Sequence, residues 1–331
     1  MSLLRLLRVW VATLSIGMLV FTGIVLFTYE IRTRTMWRKQ MGDLVNIEYR
    51  DIEQGKISAN TSSLREPHVT NDKYFSASSN HDLKNEVRVL IFVLTSSKTA
   101  SERLSLVQET WGRRSNKILY LSSNADSNMS IIGLGGTDGY ETLWGKTKRA
   151  FSYVYNNHLN DADWFMKVDD DTYVVVENLR RMLRGYNASK PLFFGHRFRY
   201  PSSVRQSYMS GGGGYVLSKA ALARFVRLGL PNAVACEQND MGAEDYLMGR
   251  CLERVGVVHG DSRDSRGRQR FLPLSLFHHF NGNYPKWMYE YEYYPLRSGR
   301  QCCSDSLVSA HYVRGNDMHL MDYLIYGLNP E

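Results

Sequence analysis

The sequence predicts an α/β fold, a mostly parallel central sheet flanked by helices, standing behind an N-terminal transmembrane helix. Three observations predict it. Val87 to Leu94 reads VRVLIFVL, a nearly unbroken apolar run with β-branched residues, as expected of a strand buried on both faces. Segments of strand and helix character then alternate, and that order gives a parallel sheet covered on both sides. Upstream, Val9 to Tyr29 carries no charge and is long enough to cross a bilayer as a helix.

Taken in order, these elements divide the chain into 1–8 as a cytosolic tail, 9–29 as a signal anchor, 30–85 as a stem and 86–331 as the globular body. A cleaved signal peptide is the alternative for the apolar run, but the run exceeds an ordinary h-region and a basic cluster, Arg32 to Lys39, follows it at once. Basic residues lie on both sides, more of them on the C-terminal side, so charge alone does not place the body in a lumen. Sequons at Asn60, Asn128 and Asn187 are usable only on an exported body. Cys236, Cys251, Cys302 and Cys303 suit an oxidising compartment and are disulfide candidates, none spaced like a zinc site. The adjacent pair could bridge only with closer α-carbons than a disulfide prefers, which leaves free thiols or separate partners open. From Met36 to Asn85 the chain is polar and aperiodic, as a stem should be.

Within the body, Ser101 to Trp111 places Leu104, Val107 and Trp111 at helical spacing, Lys117 to Leu121 returns to strand composition, and Glu141 to His158 reads as a longer helix. The run Trp164 to Val168 is the next strand, and it delivers Asp169, Asp170 and Asp171. Side chains in an extended strand alternate, so Asp169 and Asp171 share one face and Asp170 takes the other. Paired carboxylates suit Mn²⁺ or Mg²⁺ holding a diphosphate, the leaving group of a nucleotide sugar. An acidic turn after a strand is the plainer alternative. Ligands of such sheets collect where these aspartates lie, at the carboxyl ends of strands.

Further on, Gly211 to Gly214 permits close backbone approach or a flexible turn. Glu244 and Asp245 open a helix with an apolar face of Leu247, Cys251, Leu252 and Val255. They serve either as helix-end acids or as reactive carboxylates. Trp287 to Tyr294 carries aromatics at alternate positions, fit for a core face or for a sugar and peptide platform. The net charge of +8 is scattered over the 331 residues with no repeated basic stripe, which argues against a nucleic-acid partner.

Five stretches in order carry a resemblance: DADWFMKVDDDTYVVVENLR (161–180), YMSGGGGYVLSKAAL (208–222), EDYLMGRCLE (244–253), GDSRD (260–264) and CCSDSLVSAHYV (302–313). Together they make the segment from Val87 onward resemble the core 1 β1,3-galactosyltransferases, the T-synthase branch of glycosyltransferase family 31. The resemblance implies a GT-A fold for 86–331, a type II Golgi membrane protein with a lumenal body, and inverting, metal-dependent transfer of galactose from UDP-galactose to O3 of GalNAc on Ser or Thr. Mn²⁺ is the implied metal, with Mg²⁺ as the alternative, and Asp169, Asp171 and His311 are its implied ligands. The implied donor contacts are Thr95, Tyr140, Glu141, Lys146, Asp169 and Asp170; the implied acceptor contacts are Trp287, Tyr208, Gly212 and Gly213. Asp245 is the candidate base and Glu244 its rival. GalNAc-modified glycoproteins and the membrane are the implied partners, with a homodimer left open and no nucleic acid. Two departures stand out: Tyr140 replaces a family arginine, and a family cysteine pair is missing where this chain offers Ile91 or Phe92 and Ser115 or Asn116. A related glycosyltransferase with another donor or acceptor, or a non-catalytic lumenal lectin or chaperone, is the competing reading.

Overall fold

The computed structural model describes residues 80–200 and 203–328, so the expected anchor at 9–29, most of the stem and the sequon at Asn60 lie outside the described residues. Among the described residues no helix is long and apolar enough to cross a membrane. Helix α1 (Asn80–Glu86) falls within the stretch read as stem and puts Leu83 into the core, so ordered packing starts ahead of the first strand.

Six strands of a seven-stranded sheet run the same way. The order in space is β10 (Val258–His259), β6 (Leu192–Gly195), β9 (Tyr215–Ser218), β4 (Trp164–Asp169), β1 (Val89–Leu94), β2 (Lys117–Ser122), β3 (Ile131–Gly133). Only β9 is reversed, antiparallel to both β4 and β6. The unbroken apolar character of β1 has a direct cause. Val89, Ile91 and Val93 enter one core with α2 (Ala100–Glu109) and α4 (Val176–Arg184), while Leu90, Phe92 and Leu94 enter a second core on the opposite face. That second core is closed by α3 (Leu143–His158), α5 (Lys219–Arg224) and α6 (Glu244–Arg254). A strand buried on both faces has no use for alternation.

Two smaller sheets complete the site. Strand β5 (Tyr173–Val174) follows the aspartates and pairs with β12 (Ser309–Ala310), which also pairs with β11 (Phe271–Leu272). The hairpin of β7 (Arg197–Tyr200) and β8 (Ser203–Met209) pairs Phe198 with Tyr208. Cys236 is bonded to Cys251 and Cys302 to Cys303, so the adjacent cysteines are partners after all. Asn128 and Asn187 both lie exposed in turns, the latter with its side-chain oxygen accepting from Ser189 N at 2.9 Å.

Candidate active site

The three aspartates diverge because the chain leaves the strand after Asp169 and turns through Asp170 and Asp171. The parallel register sets Leu94 beside Asp169, so the residues after them are neighbours too. Thr95 Oγ1 donates to Asp170 Oδ2 at 2.7 Å, Thr99 Oγ1 adds a bond at 2.6 Å, and Arg103 donates to Oδ1 at 2.7 Å. Asp170 is thereby committed to fastening the ends of β1 and α2 together. Asp169 and Asp171 face His311 instead. His311 Nε2 lies 3.1 Å from Asp171 Oδ1 and 3.9 Å from Asp169 Oδ2.

His311 arrives from far along the chain because β12 pairs with β5. Ala310 stands opposite Tyr173, and Val313 N donates to the Asp171 carbonyl at 2.9 Å. Its Nδ1 lies 3.1 Å from the Pro273 carbonyl, which can only accept, so Nδ1 carries a hydrogen and the ring is held with Nε2 toward the carboxylates. Arg314 donates twice to Asp171 Oδ2, at 2.7 and 2.9 Å, leaving Oδ1 toward the histidine. Burial works against the Asp171 carboxylate, but His311 and Arg314 outweigh it and hold its pKa below the ordinary range. Tyr312, with φ 55, adopts the left-handed region that non-glycine residues avoid, and its ring stacks on His311 at 3.9 Å.

Glu244 and Asp245 sit at the start of α6 with different surroundings. Glu244 is buried, accepts from Tyr215 OH at 2.6 Å, and lies 3.9 Å from Lys167 Nζ. Asp245 is half-buried and turned to the glycine loop, accepting from Gly211 N at 3.2 Å and from Tyr246 N at 2.9 Å. Burial raises the pKa of each acid. Of the two, Asp245 is the less buried. The glycine loop itself is a packing surface. A β-carbon on Gly212 would lie 2.3 Å from His311 Nδ1, and one on Gly213 would meet Leu272 and Pro273. Gly214, with φ +73, turns the chain against Val168.

Of the expected donor contacts, Thr95 and Lys146 meet directly: Lys146 Nζ donates to the Thr95 carbonyl at 2.7 Å and forms an ion pair with Asp138. Burial pushes the Asp138 carboxyl up, yet Lys146 and Ser123 outweigh it and bring it down to about 2. Tyr140, 87% exposed, and Glu141, also exposed, lie just before α3. Of the expected acceptor residues, Trp287 stands half-exposed on α8 (Lys286–Tyr291, after α7 at Leu276–Asn281), and its ring meets Phe198 at 5.8 Å. Phe198 in turn contacts Tyr208 at 5.8 Å, so these two belong to one aromatic cluster. Gly212 and Gly213 touch the His311 side instead. The alternation in 287–291 is helical: Met288 is buried, and Trp287 pairs with Tyr291 one turn on. Sequence reasoning missed Asp138, Arg103, Arg314, Tyr312 and Lys167. Of these Lys167 alone left a signal, a lysine inside an otherwise apolar strand.

Among the described residues no three His, Cys, Asp or Glu side chains stand ready placed to hold a metal ion. Bonds of about 2.1 Å put neighbouring ligands of a divalent ion about 3 to 4 Å apart. The distances from His311 Nε2 to Asp171 and to Asp169, 3.1 and 3.9 Å, are of that order, and carboxylates with one imidazole are donors that suit Mn²⁺.

A helix that opens with two acids, carboxylates at the carboxyl end of a sheet strand and a histidine facing them gather at one edge of an α/β sheet, the layout of a group-transfer enzyme. The Fringe-like family matches residues 84–264. The chain is 41% identical over 251 residues to the glycoprotein-N-acetylgalactosamine 3-beta-galactosyltransferase 1 of Xenopus laevis, covering 75% of this chain and 68% of that one. It is 31% identical over 170 residues to a mouse beta-1,3-glucosyltransferase, covering 51% of this chain and 34% of that one. The galactosyltransferase LgtC bound to donor and acceptor sugar analogues superposes loosely, with TM-score 0.41 and 10% identity over 73% of this chain and 98% of that one. The chain therefore belongs to the Fringe-like family, in its branch of glycoprotein-N-acetylgalactosamine 3-beta-galactosyltransferases, and is a glycosyltransferase.

Proposed function

We propose that this protein transfers galactose from UDP-galactose to O3 of GalNAc-α-Ser/Thr on glycoproteins, with inversion, and that its body is lumenal in the Golgi behind a type II anchor. The observation that carries the reading is the meeting of Asp169, Asp171 and His311 beside the helix that presents Asp245, in a chain so similar to the Xenopus enzyme. The lumenal placement is supported by the two cystine bridges and by the exposed sequons at Asn128 and Asn187.

Asp169, Asp171 and His311 would hold Mn²⁺, which neutralises charge on the departing diphosphate when bound. The protein's own part is positional and protonic. Asp245 takes the proton of the acceptor O3 as that oxygen forms its bond to the sugar C1 and the bond from C1 to the phosphate oxygen breaks, releasing UDP. The pKa of Asp245, raised by burial, makes it a stronger base than an exposed aspartate. Trp287, backed by Phe198 and Tyr291, offers the apolar face on which a GalNAc ring stacks.

The test is transfer by the purified chain with a panel of UDP-sugars and a GalNAc-peptide, with and without Mn²⁺. Galactose transfer that requires the metal is the expected result. Transfer of another sugar would assign the chain to a neighbouring specificity, and metal-independent peptide binding without UDP release would make it a lectin or chaperone.

A further inference from the structure

Lys167 is a fully buried cation that none of the roles above employs. It lies on β4, two residues before Asp169 and on the same face, with its side chain wholly shielded from solvent. Nζ donates to Asp169 Oδ1 at 2.7 Å and to the Gly211 carbonyl at 3.4 Å, and stands 3.9 Å from Glu244 Oε2. It thus touches a candidate metal ligand, the glycine loop and the first acid of the helix that bears Asp245. A buried ion pair is a weak source of stability, because apolar residues of similar volume fill such a place as well or better. Its position at the junction of three parts of the site calls for another account.

We propose that Lys167 is a positioning residue for the reaction. By holding Asp169 Oδ1 it turns Oδ2 toward His311 as a single-oxygen ligand, and by reaching Gly211 and Glu244 it sets the start of α6, and so Asp245, at a fixed place relative to the metal. This rests on the reading of Asp169, Asp171 and His311 as metal ligands. Residues that orient ligands from behind change metal affinity or activity by about 10–100-fold when replaced.

The experiment compares the full chain with Lys167→Met and Asp169→Asn, titrating Mn²⁺ in the presence of UDP by calorimetry and following thermal unfolding alongside. Lys167→Met is expected to fold and to bind Mn²⁺ at least tenfold more weakly. Charge alone predicts the reverse, since removing a cation beside the site favours a second cation. Unchanged or tighter Mn²⁺ binding in Lys167→Met, with binding lost in Asp169→Asn, overturns the positioning role and leaves the metal site standing. Wild-type binding in both variants overturns the metal site and the role of Lys167 with it. Should Lys167→Met not fold, a crystal structure of the wild-type chain with Mn²⁺ and UDP decides. Oδ2 of Asp169 on the metal with Oδ1 still on Lys167 is the expected arrangement, and Oδ1 on the metal with the lysine displaced overturns it.

Discussion

Gly212 leaves no room for a side chain. An added methyl would stand 2.3 Å from His311 Nδ1, so either the ring or the loop must give way, and the bond to the Pro273 carbonyl that holds the ring is lost with it. Gly212→Ala should therefore lower Mn²⁺-dependent transfer by about 10–100-fold, as for loss of a ligand-orienting contact, while the protein remains folded. Steady-state kinetics against Mn²⁺, with a melting curve, check this; normal kinetics would show that His311 is not a ligand. Asp171→Asn and His311→Ala should each abolish transfer outright, because each removes a donor that the remaining two do not replace. At this scale the aspartates were legible, since a carboxylate run after an apolar strand is a local pattern. Arg314 was not, because only tertiary pairing brings it to Asp171, and Asp138 and Tyr312 were not, because their roles depend on the turn before α3 and on the left-handed backbone at Tyr312, which residue type does not announce.

Helix α6 carries both candidate bases, and its two acids can be separated by experiment. Asp245→Asn should remove transfer. Glu244→Gln keeps an acceptor for Tyr215 OH and should retain a measurable fraction of turnover. The base works only when ionised, so a pKa raised by burial moves the acid limb of the pH–rate profile upward. Turnover should fall away as pH drops through a value above about 3.9, that of an unperturbed aspartate. An acid limb at or below the ordinary aspartate value would assign the limb to another group. The same helix is held at Cys251 by the bridge to Cys236, which closes a loop of 15 residues and on chain-entropy grounds contributes about 3 kcal/mol. Replacing both cysteines by alanine should lower the unfolding free energy by about that amount in denaturant titrations. Trp287→Ala belongs to a separate element: it should raise KM for the GalNAc-peptide while leaving UDP and Mn²⁺ binding near normal. The helix start at 244 was legible from its acids and apolar spacing. The helical nature of 287–291 was not, since aromatics at alternate positions imitate a strand.

At the scale of the whole molecule, the β-α-β order and the two-sided burial of β1 were readable because they depend on local composition. Two features were not: the reversed strand β9, and the three-stranded sheet that carries His311 to the aspartates. Both depend on pairings between distant segments, and nothing in β12 itself names its partner. The proposed topology makes the last prediction. Asn128 follows β2 in an exposed turn and Asn187 follows α4 in another, so both offer accessible backbone to a glycan-transferring enzyme, whereas a buried sequon would not. With the body lumenal, the chain expressed in a secretory system should migrate faster after endoglycosidase treatment. Asn128→Gln and Asn187→Gln should each remove part of that shift, and the body should resist protease in intact vesicles until detergent is added. Full protease sensitivity in sealed vesicles, with no glycan at either asparagine, would place the body on the cytosolic side, where the cystine bridges would also be out of keeping with a reducing compartment.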